Sequence, residues 1–360
     1  MADMQEYKCP ACGGALSFDV GLQTLKCPYC ESVFDINQLG SEDGSADEEQ
    51  FAPKHVKASD WTEEEQNGLC TYICNSCAGE IITDANTGAT SCPYCDNPIV
   101  MSETFRGKLR PDLILPFKLN KEQAIAALKG HYKKRPLLPN EFKDANKLNE
   151  IKGIYVPFWL YSGKTDASFV FKATKLRKWS DSKFDYVETS YFDVHRSGSM
   201  EFSGVPVDAS TKMPDDLMDS LEPYDLKDAV DFKTAYMAGY LADKFDVDEE
   251  ACQGRADSRV KNTTENTMRG TIHGYNSVSV GRRSMHFANA TAKYVLLPVW
   301  LLNTKWKDKQ YTFAMNGQTG KFVGELPIDG KKSWSYIAAI TGGLFAAVSA
   351  IYLILTGGII

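Results

Sequence analysis

Eight of the ten cysteines occur in two copies of one spacing, and their thiol groups point to metal chemistry. Each copy reads Cys-x2-Cys, fourteen residues, Cys-x2-Cys, and residues 72–99 repeat residues 7–34 at a shift of 65 positions without a gap. Thiolates are soft ligands, and Zn²⁺ prefers four of them in a tetrahedron. A two-residue gap lets a tight turn aim both sulfurs at one ion, and a hairpin returns the second pair. The sequence therefore predicts two zinc ribbons and two Zn²⁺ ions per chain.

The predicted ligands are all cysteine sulfurs. They are Cys9, Cys12, Cys27 and Cys30 for the first ion, and Cys74, Cys77, Cys92 and Cys95 for the second. A disulfide framework is the alternative, but it is typical of small secreted domains, and the polar, cysteine-rich start of the chain does not resemble a secretory signal. A closed site of four cysteines leaves no position for a reacting water. We therefore expect structural rather than catalytic ions, held in a reducing compartment.

The charge distribution argues against nucleic acid as the partner of these ribbons. The chain has a net charge of −7, but residues 1–105 carry 4 Lys/Arg and 18 Asp/Glu, whereas residues 106–360 carry 36 and 29. No Lys or Arg lies within residues 72–99. Proteins draw most of their affinity for nucleic acid from basic side chains that neutralise phosphates. The sequence favours a protein partner, with nucleic-acid binding as the alternative.

An acidic linker is predicted between the two ribbons, at residues 39–68. The run SEDGSADEEQ at residues 41–50 is too polar to bury a core. The linker is either a solvated spacer or an acidic docking segment whose Phe51 and Trp61 insert into a partner.

Residues 106–330 read as one mixed α+β domain. The predicted elements are a strand at 113–119, a helix from the Asn120 cap to about Arg135, a strand at 154–163 with a hairpin partner at 166–173, a helix at about 248–268, and strands at 294–302 and 309–315. The segments Pro157-Phe158-Trp159-Leu160 and Pro298-Val299-Trp300-Leu301 share a core pattern, which indicates an internal duplication. We expect Trp159, Trp300 and Cys252 to be buried packing residues.

No catalytic motif is found, and the protein is not expected to be an enzyme. Gly163-Lys164-Thr165 resembles the end of a phosphate-binding loop, but Phe158 stands where that loop needs glycine. The five histidines are scattered without a neighbouring nucleophile. An active site assembled only by the fold is the remaining alternative.

The C-terminal stretch is predicted to be a transmembrane helix over residues 334–356. Residues 334–360 carry no charge, and about twenty residues suffice to span a bilayer core. Lys331 and Lys332 precede the stretch, so the positive-inside rule places the N-terminal body in the cytoplasm of a single-pass protein of the cell membrane. Small residues recur every fourth position from Ala338 to Ala350. They indicate homo- or hetero-oligomeric packing, with a helix that faces lipid alone as the alternative.

The cysteine pattern, the YVPFWL and LPVWLLNTKW segments, the phrase YTFAMNGQTGKFVGELP and the terminal apolar helix together resemble bacterial TFIIB-type zinc-ribbon membrane proteins, common in Gram-positive bacteria. Some members carry a replication-helicase label, but this chain lacks a phosphate-binding loop. The resemblance covers nearly the whole chain. It implies association with SPFH, TPM-domain or phage-shock proteins in envelope stress.

These observations define the expected organisation. The fold class is α+β, with zinc ribbon 1 at 1–38, the acidic linker at 39–68, zinc ribbon 2 at 69–105, the α+β domain at 106–330 and the transmembrane helix at 334–356. The expected function is that of a membrane-anchored adaptor whose acidic zinc ribbons are presented to protein partners. The alternative is a nucleic-acid-binding replication accessory protein.

Overall fold

The computed structural model describes most of the chain from residue 50 onward. The described residues are 17–19, 24–26, 28, 33–34, 47–48, 50–84, 87, 91–104, 109–307 and 309–355. The four cysteines predicted to form the first metal site, Cys9, Cys12, Cys27 and Cys30, lie outside these residues.

The described part of the chain is a mixed α+β protein. Its strands are β1 (Ser17–Asp19), β2 (Thr24–Lys26), β3 (Val33–Phe34), β4 (Asp47–Glu48), β5 (Lys54–His55), β6 (Leu69–Ile73), β7 (Glu80–Asp84), β8 (Val100–Thr104), β9 (Leu113–Ile114), β10 (Lys152–Ser180), β11 (Asp185–Asp208), β12 (Val230–Asp231), β13 (Leu241–Asp243), β14 (Ser277–Trp306), β15 (Lys309–Asn316) and β16 (Phe322–Val323). Its α-helices are α1 (Glu63–Asn67), α2 (Lys121–Lys133), α3 (Ala145–Asn149), α4 (Asp215–Ser220), α5 (Glu249–Gly270) and α6 (Gly330–Leu355). Three short 3-10 helices cover Asn140–Lys143, Leu226–Asp228 and Thr234–Met237.

The large sheet mixes parallel and antiparallel pairs. Its main path runs β12-β9-β14-β10-β13-β7-β6-β8. Strand β13 pairs with β10 in parallel and with β7 in antiparallel, so it joins two parts of the chain that are far apart in sequence. Strands β1, β2 and β3 form a separate antiparallel sheet.

The chain divides into two compact units. Unit 1 comprises Met1–Pro53, Ser162–Ser203 and Arg255–Ala290, and unit 2 comprises Lys54–Tyr161, Gly204–Gly254 and Thr291–Ile360. The second group of predicted metal ligands belongs to unit 2.

The core of unit 2 is built on apolar runs of β10 and β14. Residues 154–160 and 294–302 are buried at every position, as expected for strands that are covered on both faces. The prediction that Trp159 and Trp300 are core residues is confirmed, because they are 2% and 4% exposed. Their indole N–H groups donate to the carbonyl oxygens of Val247 and Leu119, at 3.1 and 3.2 Å. The internal duplication stays a prediction.

Both predicted helices of the α+β domain are confirmed. Helix α2 begins after Asn120, whose side chain accepts from the backbone N–H of Gln123 while the Gln123 side chain accepts from the backbone N–H of Asn120. This reciprocal capping box satisfies two of the N–H groups that a helix start leaves without partners. Helix α5 carries Cys252 on a buried stripe, 2% exposed, as its four-residue spacing predicts.

The predicted hairpin partner at residues 166–173 is wrong, since those residues continue the same strand. Strand β10 runs without interruption from Lys152 to Ser180, and the turn lies at residues 181–184. A Cβ atom at Gly163 would lie 3.1 Å from the Phe202 ring and 3.3 Å from the Ala290 Cα. The glycine therefore permits close approach of neighbouring strands, whereas the sequence had suggested a turn.

Helix α6 is apolar and long enough to cross a membrane. The candidate span covers Gly330–Tyr352, and none of it is buried in the protein. The helix begins four residues before the predicted Trp334, because Asp329 caps it by accepting from the Lys331 backbone N–H at 2.9 Å. The Lys332 ammonium group donates to the Leu138 carbonyl oxygen at 2.7 Å.

We expect the Asn316→Ala substitution to destabilise unit 2 by about 2 kcal/mol, because it leaves several buried polar groups without partners. Asn316 is fully buried; its amide donates to the carbonyl oxygens of Leu221 and Pro223 and its Oδ1 accepts from the Gln318 backbone N–H. The matched control is Thr319→Ala, an exposed position of the same turn, which should stay within about 0.5 kcal/mol of wild type. Native-state hydrogen exchange measures both, and equal protection in the two variants would contradict this role.

Candidate metal centre

Four cysteine sulfurs of unit 2 converge on one point. The Sγ atoms of Cys74, Cys77, Cys92 and Cys95 all lie within 4.8 Å of one another. Two of the pairs are Cys74 with Cys95 at 3.5 Å and Cys77 with Cys92 at 3.6 Å. A disulfide needs about 2.05 Å, so these are four separate thiols that could hold one metal ion.

The first ligand pair sits on a tight turn between β6 and β7. The Cys74 backbone N–H donates to the Gly79 carbonyl oxygen at 3.0 Å, and the Ala78 N–H donates to the Cys74 carbonyl oxygen at 2.8 Å. Ala78 adopts a φ of 53°, a left-handed conformation that costs a side-chain-bearing residue energy. This local strain is the cost of aiming the Cys74 and Cys77 sulfurs at the same point.

The second ligand pair repeats this geometry before β8. The Cys92 N–H donates to the Asn97 carbonyl oxygen at 2.8 Å, and the Asp96 N–H donates to the Cys92 carbonyl oxygen at 3.0 Å. Asp96 has a left-handed φ of 62°, close to the 53° of Ala78 at the equivalent position of the first turn. The Tyr94 backbone N–H points at the Cys92 sulfur from 3.4 Å. The duplicated Cys-x2-Cys spacing thus corresponds to a duplicated turn.

The environment of the thiols favours a bound cation. Burial raises the pKa of Cys92 well above its usual range, and burial also raises the pKa of Cys77. Burial acts in the same direction on Cys95, but N–H groups of the Asn97 backbone and side chain lower the pKa of that thiol to about 7. Buried thiolates therefore need compensating positive charge, which a metal ion supplies when it displaces the thiol protons.

Side chains from the α+β domain fasten the second turn. The Asn303 amide donates to the carbonyl oxygens of Pro93 and Tyr94, at 2.6 and 3.1 Å. The Gln310 amide donates to the same Tyr94 oxygen at 2.9 Å. On the other side, the Lys152 ammonium group donates to the Cys92 carbonyl oxygen at 3.2 Å. Both residues between Cys92 and Cys95 are therefore tied to strands of the domain.

The ribbon also shares the sheet and the core of unit 2. Strand β7 pairs with β13 through Ile81 opposite Asp243 and Ile82 opposite Ala242. Cys74 and Cys92 belong to the same buried cluster as Val156 and Phe158 of β10 and Val299 of β14. This ribbon is consequently an extension of the domain's sheet, whereas the sequence had suggested a separate head.

Three acidic side chains of this ribbon have partners within unit 2. Glu80 forms an ion pair with Lys244 at 2.7 Å, and Asp96 forms one with Lys152 at 3.0 Å. Asp84 accepts from the backbone N–H of Gly239 at 3.1 Å. Acidic residues of the N-terminal part of the sequence thus pair with lysines of the C-terminal part, and these contacts lie inside unit 2.

A buried carboxyl group lies next to the ribbon and was missed at the sequence level. Asp243 is 1% exposed and accepts a hydrogen bond from the Ser210 hydroxyl at 2.5 Å. Burial raises the pKa of Asp243 to about 7, and after burial the Asp243 carboxyl is the next cause of a raised pKa at Tyr94. Carboxyls of this kind often mark functional sites. Here the adjoining cavity, which Trp61 and Tyr294 also line, measures about 20 Å³ and has room for one water.

The cysteine spacing identifies the four ligands of this site, but no local pattern identifies the residues that hold their turns in place. Lys152, Asn303 and Gln310 belong to no metal-binding motif, and each is 56 or more positions from its partner in the ribbon. Their only sequence signal is that the polar Asn303 directly follows the apolar run of β14, inside the LPVWLLNTKW segment.

Comparison with known proteins gives one relative that matches almost end to end. It is a protein of Bacillus subtilis (strain 168) described as "Uncharacterized protein YdjG", and it is 34% identical over 352 residues, which are 98% of each chain. No family model matches the sequence. No solved structure matches it either.

We expect Cys74→Ser to remove about one metal ion per chain, because a site of four thiolates loses most of its affinity with one ligand. The matched control is Cys70→Ser. Cys70 lies on the same strand, β6, but outside the four-cysteine group. Elemental analysis of the purified full-length variants measures the difference. An equal metal content in the two variants would show that this group does not bind the ion.

We expect the free energy of unfolding of Asp243→Asn to increase, relative to that of the wild type, as the pH rises. The pKa of Asp243 is about 7 in the folded protein against 3.8 ordinarily, so ionisation costs folding free energy between those values and the full cost applies above pH 7. The gain over wild type should grow between pH 4 and pH 8 by a few kcal/mol, on the order of 1.4 kcal/mol per pKa unit. Urea midpoints test this, with the exposed Asp231→Asn as the control for losing one charge. A pH-independent difference would contradict the assignment.

Proposed function

We propose, from the premise that this chain belongs to the same family as YdjG of Bacillus subtilis, that it is a membrane-anchored adaptor stabilised by structural zinc. The observation that carries the proposal is the four-cysteine group built into the sheet of a chain that also has an exposed apolar helix. A zinc ion with four thiolate ligands stabilises the fold and has no position for a reacting water. An exposed apolar helix would attach the chain to a membrane.

Zinc is the metal that the donor set favours. Zn–S bonds of about 2.3 Å in a tetrahedron separate the sulfurs by about 3.8 Å. The Cys74–Cys95 and Cys77–Cys92 pairs, at 3.5 and 3.6 Å, need only a slight expansion to reach this value. Four thiolates complete the coordination shell, so the ion has no position for water and acts by holding the two turns together. By its identical spacing, the first ribbon holds a second Zn²⁺.

The membrane anchor in this proposal is helix α6. Its candidate span, Gly330–Tyr352, has a mean hydropathy of 1.6. Lys331 and Lys332 stand at its start, and the positive-inside rule then leaves the N-terminal body in the cytoplasm. A cytoplasmic body also suits cysteines that must stay reduced in order to bind zinc.

The partner in this proposal is a protein that binds the acidic segment before the second ribbon. The ribbon's own Glu80 and Asp96 are paired with lysines, and Glu65 is held by Arg110 through a 2.8 Å contact. Glu63 and Glu64, in contrast, are exposed. The resemblance noted in the sequence suggests partners of the SPFH, TPM-domain or phage-shock type.

Co-purification of the full-length protein from native membranes tests the proposal. We expect wild type to retain a membrane protein partner, and Glu63→Lys with Glu64→Lys to lose it, because two added positive charges oppose an acid-selective surface. The matched control is Asp215→Lys with Asp216→Lys. These residues are also an exposed acidic pair in the first turn of a short helix.

Three results would contradict the proposal. The first is a chain that is absent from the membrane fraction. The second is a partner lost equally from both charge variants. The third is recovery of nuclease-sensitive nucleic acid in place of protein, which would support the replication alternative.

A further inference from the structure

Strands β10 and β11 form a hairpin that extends beyond its neighbours in unit 1. Strand β14 accompanies β10 as far as Thr174, where the Asn276 backbone N–H donates to the Thr174 carbonyl oxygen at 2.7 Å. The Asn276 side chain then accepts from the Leu176 N–H, also at 2.7 Å. Beyond this point the two strands continue to a turn at residues 181–184. We call residues 175–192 the hairpin tip.

The hairpin tip lies beyond the hydrophobic core of unit 1. The core cluster there includes Phe171 and Ala173 of β10 and Val194 of β11, packed with Met268 of α5. No member of that cluster falls within residues 175–192. At the base of the tip Phe192 meets Tyr275, which packs against that cluster, with ring centroids 5.3 Å apart. The rest of the tip is a two-stranded ribbon beyond the core cluster, and such a ribbon is marginally stable in water.

Apolar side chains are nevertheless concentrated at the tip. In the described part of the chain, twelve large apolar side chains outside helix α6 are exposed, and seven of them lie in this stretch. The seven are Leu176, Trp179, Phe184, Tyr186, Val187, Tyr191 and Phe192. Phe184 and Val187 are the most exposed, at 64% and 59%. An exposed apolar cluster of this size indicates an interaction surface.

The tip is ordered by its own contacts. Trp179 and Tyr186 stack across the two strands with ring centroids 5.4 Å apart, and the Arg177 guanidinium lies 5.3 Å from the Trp179 centroid. The Asp181 carboxylate accepts from the backbone N–H groups of Lys183 and Phe184, both at 2.8 Å, and from the Tyr186 hydroxyl. The acidic side chain of the turn is thus used for the turn itself.

We propose that the hairpin tip inserts into the headgroup region of an anionic lipid bilayer. Trp and Tyr prefer this interface because their rings are amphipathic, and Lys and Arg near it gain attraction to anionic lipids. The tip carries four basic and three acidic side chains, a net charge of +1. Arg177 pairs with Glu188 at 4.0 Å, so Lys175, Lys178 and Lys183 are the groups that meet the anionic headgroups. The proposal rests on the proposed function only for the presence of a membrane, which helix α6 supplies. The aliphatic Leu176 and Val187 favour lipid over nucleic acid, since bases stack on aromatic rings.

Photo-crosslinking of the full-length chain in native membranes tests this proposal. A photoreactive benzoylphenylalanine is placed at position 184 in the tip, at position 344 in α6, or at position 236 in unit 2. Phe184, Leu344 and Tyr236 are all exposed, so each substitution leaves the core intact. Irradiation is followed by mass spectrometry of lipid, protein and nucleic-acid adducts. We expect lipid adducts at position 184 several-fold above those at position 236.

The three positions separate this inference from the proposed anchor. Lipid adducts at position 344 without adducts at 184 would overturn the inference and leave the anchor intact. Adducts at 184 with protein or nucleic acid in place of lipid would also overturn it. Lipid adducts at 184 without any at 344 would support the inference and contradict anchoring by α6. As a second measurement, Leu176→Ser with Val187→Ser, both at exposed positions of the tip, should reduce the lipid adducts at position 184 several-fold and leave those at position 344 unchanged, whereas undiminished adducts at 184 would count against the tip.

Discussion

Four thiols held within 4.8 Å of one another, two of them fully buried, are the constraint on which the fold of unit 2 depends. As neutral thiols, sulfur atoms at this spacing gain only weak S–H···S contacts, and as thiolates they repel. A metal ion bound to the four sulfurs would convert this repulsion into a tetrahedral link between the two turns. The strained backbone at Ala78 and Asp96 fits this view, because a left-handed φ persists only where surrounding contacts impose it.

The consequence of that link extends into the large sheet. Strand β7 lies between the two cysteine turns in sequence. It pairs with β13, and β13 pairs with β10. Tyr94 lies between two ligands and enters the core cluster that Val156 and Phe158 also form. Metal binding and packing of the domain should therefore be coupled. In the proposed function, the ion is a structural element of unit 2 and the partner binds the acidic residues before the ribbon.

Local patterns predicted the parts of the structure that local physics decides. The cysteine spacing, the Asn120 capping box and the buried stripe of α5 each involve residues within a few turns of one another, so the sequence contains the whole interaction. The apolar runs around Trp159 and Trp300 predicted the core for the same reason. Gly163 was ambiguous, because glycine serves both a turn and a close strand approach, and only the neighbouring Phe202 decides between them.

Contacts between distant segments could not be predicted in this way. The amide of Asn303 meets the turn at Tyr94 from 209 positions away, and Lys244 meets Glu80 from 164. Neither pair has a sequence pattern, since register across a mixed sheet depends on all its strands at once. The acidic ribbon thus looked like a free binding surface until the structure placed lysines against it. The raised pKa of Asp243 likewise arises from burial, which no single residue type reveals.

Hydrogen exchange before and after metal removal tests the central claim most directly. The full-length protein is compared with and without a zinc chelator, and the backbone amides of Leu241–Asp243 in β13 are followed. If the metal ties the ribbon into the sheet, these amides lose protection on chelation and regain it when Zn²⁺ is restored, while Phe169 and Phe171 in unit 1 keep theirs. Unchanged protection of β13 after complete loss of metal would contradict the account.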